Sequence, residues 1–523
     1  TLGIAAGSGY TSRYRGMAFD SDICLVSNAV SDDYELIDST DYYKYTTATD
    51  ALGFKYIFDY ADSQSKPCVI SFSEGYYFGY SGEDSLFCEY LTGLTGPGHI
   101  IVASAGNESQ YVGYLCKPSG ADEAGSFLYS NGNSATYYVQ SRDAFHMCFL
   151  TYGTSEIDTL TIESSQCSTD YTTSVFSFVQ KDTGAECRLS IDRYPSSFIV
   201  GDTVYCVSIE SDVTISSLSP IALVLTGTQS EVSARGVSSS MFANGLADDK
   251  WNDAEISHNV LAPGCFDGII TVGATIHRTS FTNYLGNYCE YPQAGRNDGV
   301  RSYYSSIGPG VDGNIKPDIV APGDNIVSSY SSFYLEANPN ANDKSFDIAY
   351  FDYNGRTYLW HSSTGTSMST PVVAGAIALW LQAKPDLTPE EIIDVFSRTS
   401  RKPETELSYP NNYYGYGEID VYKGLLDILG ISGIKEISKS QPSSVHVSID
   451  ESGTMILTFD SVPQNDVDVS VYSISGTLLY KDTISPTGSF TVRKTMLSIP
   501  ESIVIVQLKG IDKGVTGSTI IRK

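Results

Sequence analysis

Apolar and polar positions follow two different rhythms along this chain. In the first hundred residues, short apolar runs alternate with stretches whose apolar residues fall at helical spacing. Ile23-Cys24-Leu25-Val26 reads as a strand, and Phe54, Ile57, Phe58 and Ala61 mark one face of a helix. Cys68-Val69-Ile70-Ser71-Phe72 is a strand again. Leu86, Phe87, Tyr90, Leu91 and Leu94 mark a second helix, and Ile100 to Ala105 is the next strand. Apolar strands separated by amphipathic helices predict an α/β fold with a parallel sheet flanked by helices. Such sheets bind ligands beyond the carboxyl ends of their strands.

From about Tyr111 to Asp249 the period becomes two. Ala135–Val139, Asp158–Ile162, Val175–Val179, Thr203–Val207 and Ala222–Leu225 read as strands, separated by turns such as Asn131-Gly132 and Thr183-Gly184. This pattern predicts a β-sandwich inserted at 111–249. The α/β rhythm resumes by Ile269, and Thr388-Pro389-Glu390-Glu391 forms a capping box opening a helix through Phe396. A polar linker follows, placed at 436–444 and containing Pro442. Beyond it, Met455–Phe459, Val469–Ser473 and Ile503–Leu508 alternate again, with Ser475-Gly476-Thr477 as a turn, and predict a C-terminal β-sandwich over 445–523.

The chemistry is concentrated in Gly365-Thr366-Ser367-Met368-Ser369-Thr370-Pro371, which runs into Val372-Val373-Ala374-Gly375-Ala376-Ile377-Ala378-Leu379-Trp380. A glycine turn exposes the Ser367 hydroxyl, and the following helix aims free N–H groups at whatever that hydroxyl attacks. A serine N-cap on a core helix would account for the same residues. The run resembles the nucleophile motif of the subtilisin-like serine peptidases, the S8 subtilases. Ile100 to Asn107 resembles the family segment that supplies the oxyanion-hole asparagine, which implies that role for Asn107; alone, Gly106-Asn107 is an ordinary turn. Ser305–Pro309, Ile315–Gly323, Asp267–Ala274 and Tyr414–Asp420 are similar to other family segments, in the family's order. The resemblance implies a catalytic domain over 1–435. It also implies that Ser71, Phe72, Ser73 and Gly75 on one side, and Ala103, Ser104, Ala105 and Gly106 on the other, wall the primary substrate pocket. Glu74, where the family often has glycine, would favour a cationic side chain if it faced the cleft; pointing to solvent, it leaves an apolar preference.

The family's triad runs Asp, His, Ser along the chain. None of His99, His146, His258, His277, His361 and His446 lies in a His-Gly-Thr-His motif. Thr1-Leu2-Gly3-Ile4-Ala5-Ala6-Gly7 resembles instead the helix residues just after the family's histidine. The triad Asp and His are therefore expected upstream of Thr1, and these residues alone are expected to be inactive, because a serine hydroxyl needs an adjacent base. His361, six residues before Ser367, lacks a neighbouring orienting carboxylate motif. Two functional readings stand: a secreted serine endopeptidase acylated on Ser367, and a catalytically inactive subtilase-fold binding protein. An esterase is weaker, since position 369 is Ser where the Gly-x-Ser-x-Gly elbow needs Gly.

Composition narrows the partners. The chain has 523 residues, a net charge of −29 and 41% hydrophobic residues. That acidity argues against nucleic acid, and no apolar run approaches the roughly 20 residues of a membrane helix. The expected partner is a protein or peptide substrate, outside the cell or at its surface. No cofactor is expected; acidic loops are compatible with calcium, but no site is assigned. The ten cysteines all precede residue 290; an even number allows disulfides, while several lie in apolar patterns as small buried hydrophobes. The C-terminal region resembles the terminal β-sandwich modules of Bacteroidetes secreted proteins, some of which engage export machinery; a generic β-domain for stability or binding fits equally.

Overall fold

The computed structural model describes residues 1–10, 12, 14–27, 47–153, 156–170, 172–181, 183–290, 299–340, 342–431, 445–449, 454–459, 466–473, 478–485, 491–495, 503–511 and 515–522. The chain divides into two compact units, Thr1–Ser432 and Gly433–Lys523. The linker placed at 436–444 lies outside the described residues.

The first unit is built on a parallel sheet of four strands: β1 (Cys68–Phe72), β2 (His99–Ser104), β3 (Ile270–Thr275) and β4 (Ile319–Pro322), in that order. The sequence makes β2 a central strand. Ile100, Ile101, Val102 and Ala103 are all fully buried, as a strand covered on both faces requires. Ile101 and Ala103 join one core cluster with Phe54, Phe58, Phe87 and Leu91. Ile100 and Val102 point the other way, into a cluster with Val373, Ile377 and Trp380. Helices α2 (Thr47–Ser63) and α3 (Gly82–Leu94) cover the first face, and α4 (Thr366–Ala383) covers the second. The short helix α1 (Leu2–Ala6) lies against α4, where a methyl group built on Gly375 would come within 2.9 Å of the Ala5 carbonyl. Glycine at that position is what allows the approach.

Residues 22–27, expected to contain a strand, join no sheet. A methyl group built on Gly53 of α2 would lie 3.4 Å from Val26 Cγ1, and among the described residues the outer edge of β1 has no ladder partner. The run therefore stays extended chain without ladder hydrogen bonds, with Ile23 and Leu25 exposed.

Between β2 and β3 the chain forms two antiparallel sheets, of seven and five strands, starting at Tyr114 and ending at Glu255. The five strands read from alternation are all present, as Ser134–Ser141, Ile157–Glu163, Ser174–Val179, Thr203–Ser211 and Ile221–Thr226. Val139, Phe149, Leu189, Tyr205 and Leu223 from both sheets share one core cluster. The second unit contains a three-stranded and a four-stranded antiparallel sheet, with Met455, Leu457, Val469, Val471 and Val506 in a common cluster.

All ten cysteines are free, so the disulfides that their even number allowed do not form. Burial pushes the Cys68 thiol up to about 12 and Cys206 to about 11, which keeps them protonated and unreactive. No helix among the described residues is long and apolar enough to cross a membrane.

Candidate functional site

Ser367 sits at the second position of α4, after Gly365, whose φ of 147° favours glycine. The side chain is half-buried at the carboxyl ends of β1 and β2. Its Oγ donates to the Ser73 carbonyl at 3.0 Å, and Ser73 Oγ donates to the Ser367 carbonyl at 3.0 Å. Pro371 explains why that carbonyl is available. It stands four residues after Ser367, where an ordinary residue would send its N–H to the Ser367 oxygen, and proline has none.

Asn107 follows β2 and reaches the same turn. Its Oδ1 accepts from the Thr366 N–H at 3.0 Å and from Thr366 Oγ1 at 3.1 Å. Thr366 Oγ1 in turn accepts from the Gly106 N–H at 3.3 Å. With its oxygen held this way, the Asn107 carboxamide keeps Nδ2 without a partner among the described residues. A methyl group built on Gly365 would lie 3.5 Å from that nitrogen. The Thr366 N–H is taken by Asn107 Oδ1 and the Met368 N–H by the Gly365 carbonyl, so among the described residues the donors left at this end of α4 are the Ser367 N–H and Asn107 Nδ2, a pair able to hold an oxygen that becomes negative. The turn is fixed from behind: the Gly365 N–H donates to the Gly323 carbonyl at 3.0 Å, and the Asn325 N–H to Thr364 Oγ1 at 3.0 Å.

The remaining residues expected in the pocket divide by position. Ser73, Gly75, Ala105 and Gly106 lie where β1 and β2 end, next to Ser367 and Asn107. Ala103 and Ser104 are buried in β2. Ser71 is an exposed position of β1, whereas Phe72 packs its ring on Phe54 of α2 at 5.0 Å between centroids and belongs to the core rather than to an open surface. Glu74 is exposed, and partial desolvation, with Asp50 adding to it, raises its carboxyl above the ordinary range.

The structure corrects the reading of His361. It has an orienting carboxylate: Nδ1 pairs with Asp347 Oδ1 at 2.8 Å, and both residues are buried. The partner was hidden because a hairpin, Asp347–Tyr353 with Arg356–Ser363, brings it from 14 residues away. The pair nevertheless does not serve Ser367, whose hydroxyl donates to Ser73. The His361 ring lies against Tyr330 at 4.6 Å. Sequence reasoning also missed Thr366 as the residue that seats Asn107, although it adjoins the nucleophile. Among the described residues no group of three His, Cys, Asp or Glu is placed to hold a metal ion.

Residues 197–417 match the Subtilase family. Serine protease AprX of Bacillus subtilis (strain 168) is 34% identical over 170 residues, covering 32% of this chain and 32% of that protein. The uncharacterized protein aq_aa18 of Aquifex aeolicus (strain VF5) is 36% identical over 159 residues, 30% of this chain and 62% of its own length. The chain thus spans about a third of the first relative and under two thirds of the second. The solved structure of the Clostridium perfringens CspB protease superposes with a TM-score of 0.57 at 18% identity, over 82% of this chain and 80% of that one, and shows a shared fold. The family match and the first relative together show that the region 197–417, which includes Ser367, is similar to the Subtilase family and to part of a serine protease.

Proposed function

We propose that this chain carries the nucleophile and oxyanion site of a secreted serine endopeptidase. The observation that supports this most is the seating of Asn107 Oδ1 on Thr366, the residue next to Ser367, with the amide nitrogen left without a partner among the described residues. In the proposed reaction, a base takes the Ser367 proton while Oγ attacks the carbonyl carbon of a peptide bond. Asn107 Nδ2 and the Ser367 N–H hold the negative oxygen of the tetrahedral intermediate. Collapse expels the amine and leaves an acyl-enzyme, which water hydrolyses. These steps use protein groups alone.

The proposed base is a histidine, oriented by an aspartate, on a segment upstream of Thr1. Two observations favour it. Ser367 Oγ donates to a backbone carbonyl instead of to an imidazole. The outer edge of β1 is also unpaired among the described residues, which leaves room for a further strand. On this reading the described residues alone are inert. The substrate is an extended peptide laid against the chain leaving β1, at Ser73 and Gly75; the backbone groups of Ala105 and Gly106 are already paired with Val272, Leu261, Thr366 and Ser306, so that side supplies a wall and not a ladder. The sheets at 111–249 and 445–523 are proposed to be β-sandwich modules. The second would serve export or surface attachment, with stability or binding as its alternative role.

Asn107→Ala tests the proposal in the chain together with its upstream segment. It should lower kcat by about 10²–10³ with little change in KM. A change confined to KM would make Asn107 a substrate-binding residue only.

A further inference from the structure

Ser73-Glu74-Gly75-Tyr76 leaves β1, and Ala105-Gly106-Asn107 leaves β2, so the two chain segments bound a slot at the carboxyl ends of adjacent strands. Ser73 is clasped to Ser367, and Asn107 is seated on Thr366, so this slot opens beside both reacting groups. On the peptidase reading, the side chain of the attacked residue enters this slot.

The slot already has an occupant. Leu261 and Ala262 span it from wall to wall. The Leu261 N–H donates to the Ala105 carbonyl at 2.9 Å, while Ala262 and Tyr76 exchange two backbone hydrogen bonds of 3.0 Å. This fixes the direction of the Leu261 side chain. A methyl group built on Gly75 would lie 2.9 Å from Leu261 Cβ and 3.3 Å from Cδ1. One built on Gly106 would lie 2.9 Å from Leu261 Cγ and 3.1 Å from Cδ1. Both walls therefore have glycine where the leucine meets them, and the leucine takes up the space that those glycines leave. Leu261 is half-buried, and it also lines a neighbouring cleft with Tyr77, Glu108 and Arg235.

We propose that Leu261 is a specificity-determining residue that shortens this slot, so that the site takes peptides with glycine, alanine or serine at the residue whose carbonyl is attacked. The proposal rests on the peptidase reading for its reaction but not for its binding test. The backbone hydrogen bonds fix where Leu261 Cβ points, its side chain lies against Gly75 and Gly106 on the two walls, and overpacking a filled site is costly. A phenylalanine or leucine of the substrate has to displace it, whereas a methyl or hydroxymethyl group does not.

Peptide binding to the chain Thr1–Lys523 reads this without needing a base. Calorimetric titration uses N-acetyl-Ala-Ala-Pro-Ala and N-acetyl-Ala-Ala-Pro-Phe, each with a free carboxylate, against the native chain, Leu261→Ala and Leu261→Gly. Two variants are used so that one survives if the other unfolds, and thermal melting identifies which is folded. The native chain should bind the alanine peptide at least about tenfold more tightly than the phenylalanine peptide, and a folded variant should lose or reverse that preference. Equal or tighter binding of the phenylalanine peptide by the native chain overturns the proposal, as does a preference unchanged in the variant, or no binding of either peptide. Labelling of Ser367 by a fluorophosphonate in the chain with its upstream segment, measured separately, decides whether the peptidase reading stands.

Discussion

Ser73 and Ser367 hold each other by two reciprocal hydrogen bonds of 3.0 Å, each hydroxyl donating to the other's carbonyl. One of these bonds exists because Pro371 cannot complete the helix at Ser367. The other shows where the nucleophile's proton rests until a base accepts it. The same pair ties the end of β1 to the start of α4, so it sets the distance between the slot and the attacking oxygen.

Ser73→Ala removes the hydroxyl that satisfies the Ser367 carbonyl. The loss should cost about 1 kcal/mol of stability, the range of one hydrogen bond. Urea denaturation of the native chain and the variant checks this. An unchanged midpoint would mean that water replaces the hydroxyl fully.

Thr366→Val keeps the shape of the side chain but removes both of its Oγ1 contacts, to Asn107 and to the Gly106 N–H. In the chain with its upstream segment, kcat should fall by about tenfold with KM held, while Thr366→Ser should retain the native rate. Steady-state kinetics on one peptide substrate separates these outcomes. A fall in Thr366→Ser equal to that in Thr366→Val would assign the threonine a packing role.

How far the site was legible follows from the distances along the chain. Ser367 and Asn107 each lie in a local run whose residue types carry the chemistry, so both could be named before the fold was known. The alternation that marked Ala135–Val139 or Thr203–Val207 worked for the same reason, since a strand with one buried face writes its period into its own sequence. Ile23–Val26 misled, because an apolar run reports burial tendency but not whether the chain's path lays it along another strand; here Ile23 and Leu25 stay exposed. Asp347 beside His361 and Leu261 between Gly75 and Gly106 were invisible. In each case the contact is made by the path of the backbone, through a hairpin or a crossing between two walls, and no local pattern records it.

His258 gives a pH dependence. Its ring stacks on Tyr114 at 3.7 Å, and burial, with the nearby Arg235 charge adding to it, pushes it down to about 4. The unfolded chain carries an ordinary histidine near 6.5, so between pH 6.5 and 4 the unfolded state binds more protons and stability falls as pH falls. The loss over that window is on the order of 2–3 kcal/mol. His258 has a φ of 53°, so Asn, which tolerates that region, is the suitable replacement. His258→Asn should flatten the stability profile between pH 6.5 and 4, measured by chemical denaturation at several pH values. A slope equal to that of the native chain would place the acid sensitivity elsewhere.

The most direct test of the central claim is covalent labelling by a serine-directed fluorophosphonate, read by peptide mass mapping. The chain with its upstream segment should be labelled on Ser367, labelling should vanish in Ser367→Ala, and Thr1–Lys523 alone should be labelled barely at all for want of a base. Labelling that persists in Ser367→Ala, or an upstream-extended chain that is not labelled, would contradict a peptidase acting through Ser367.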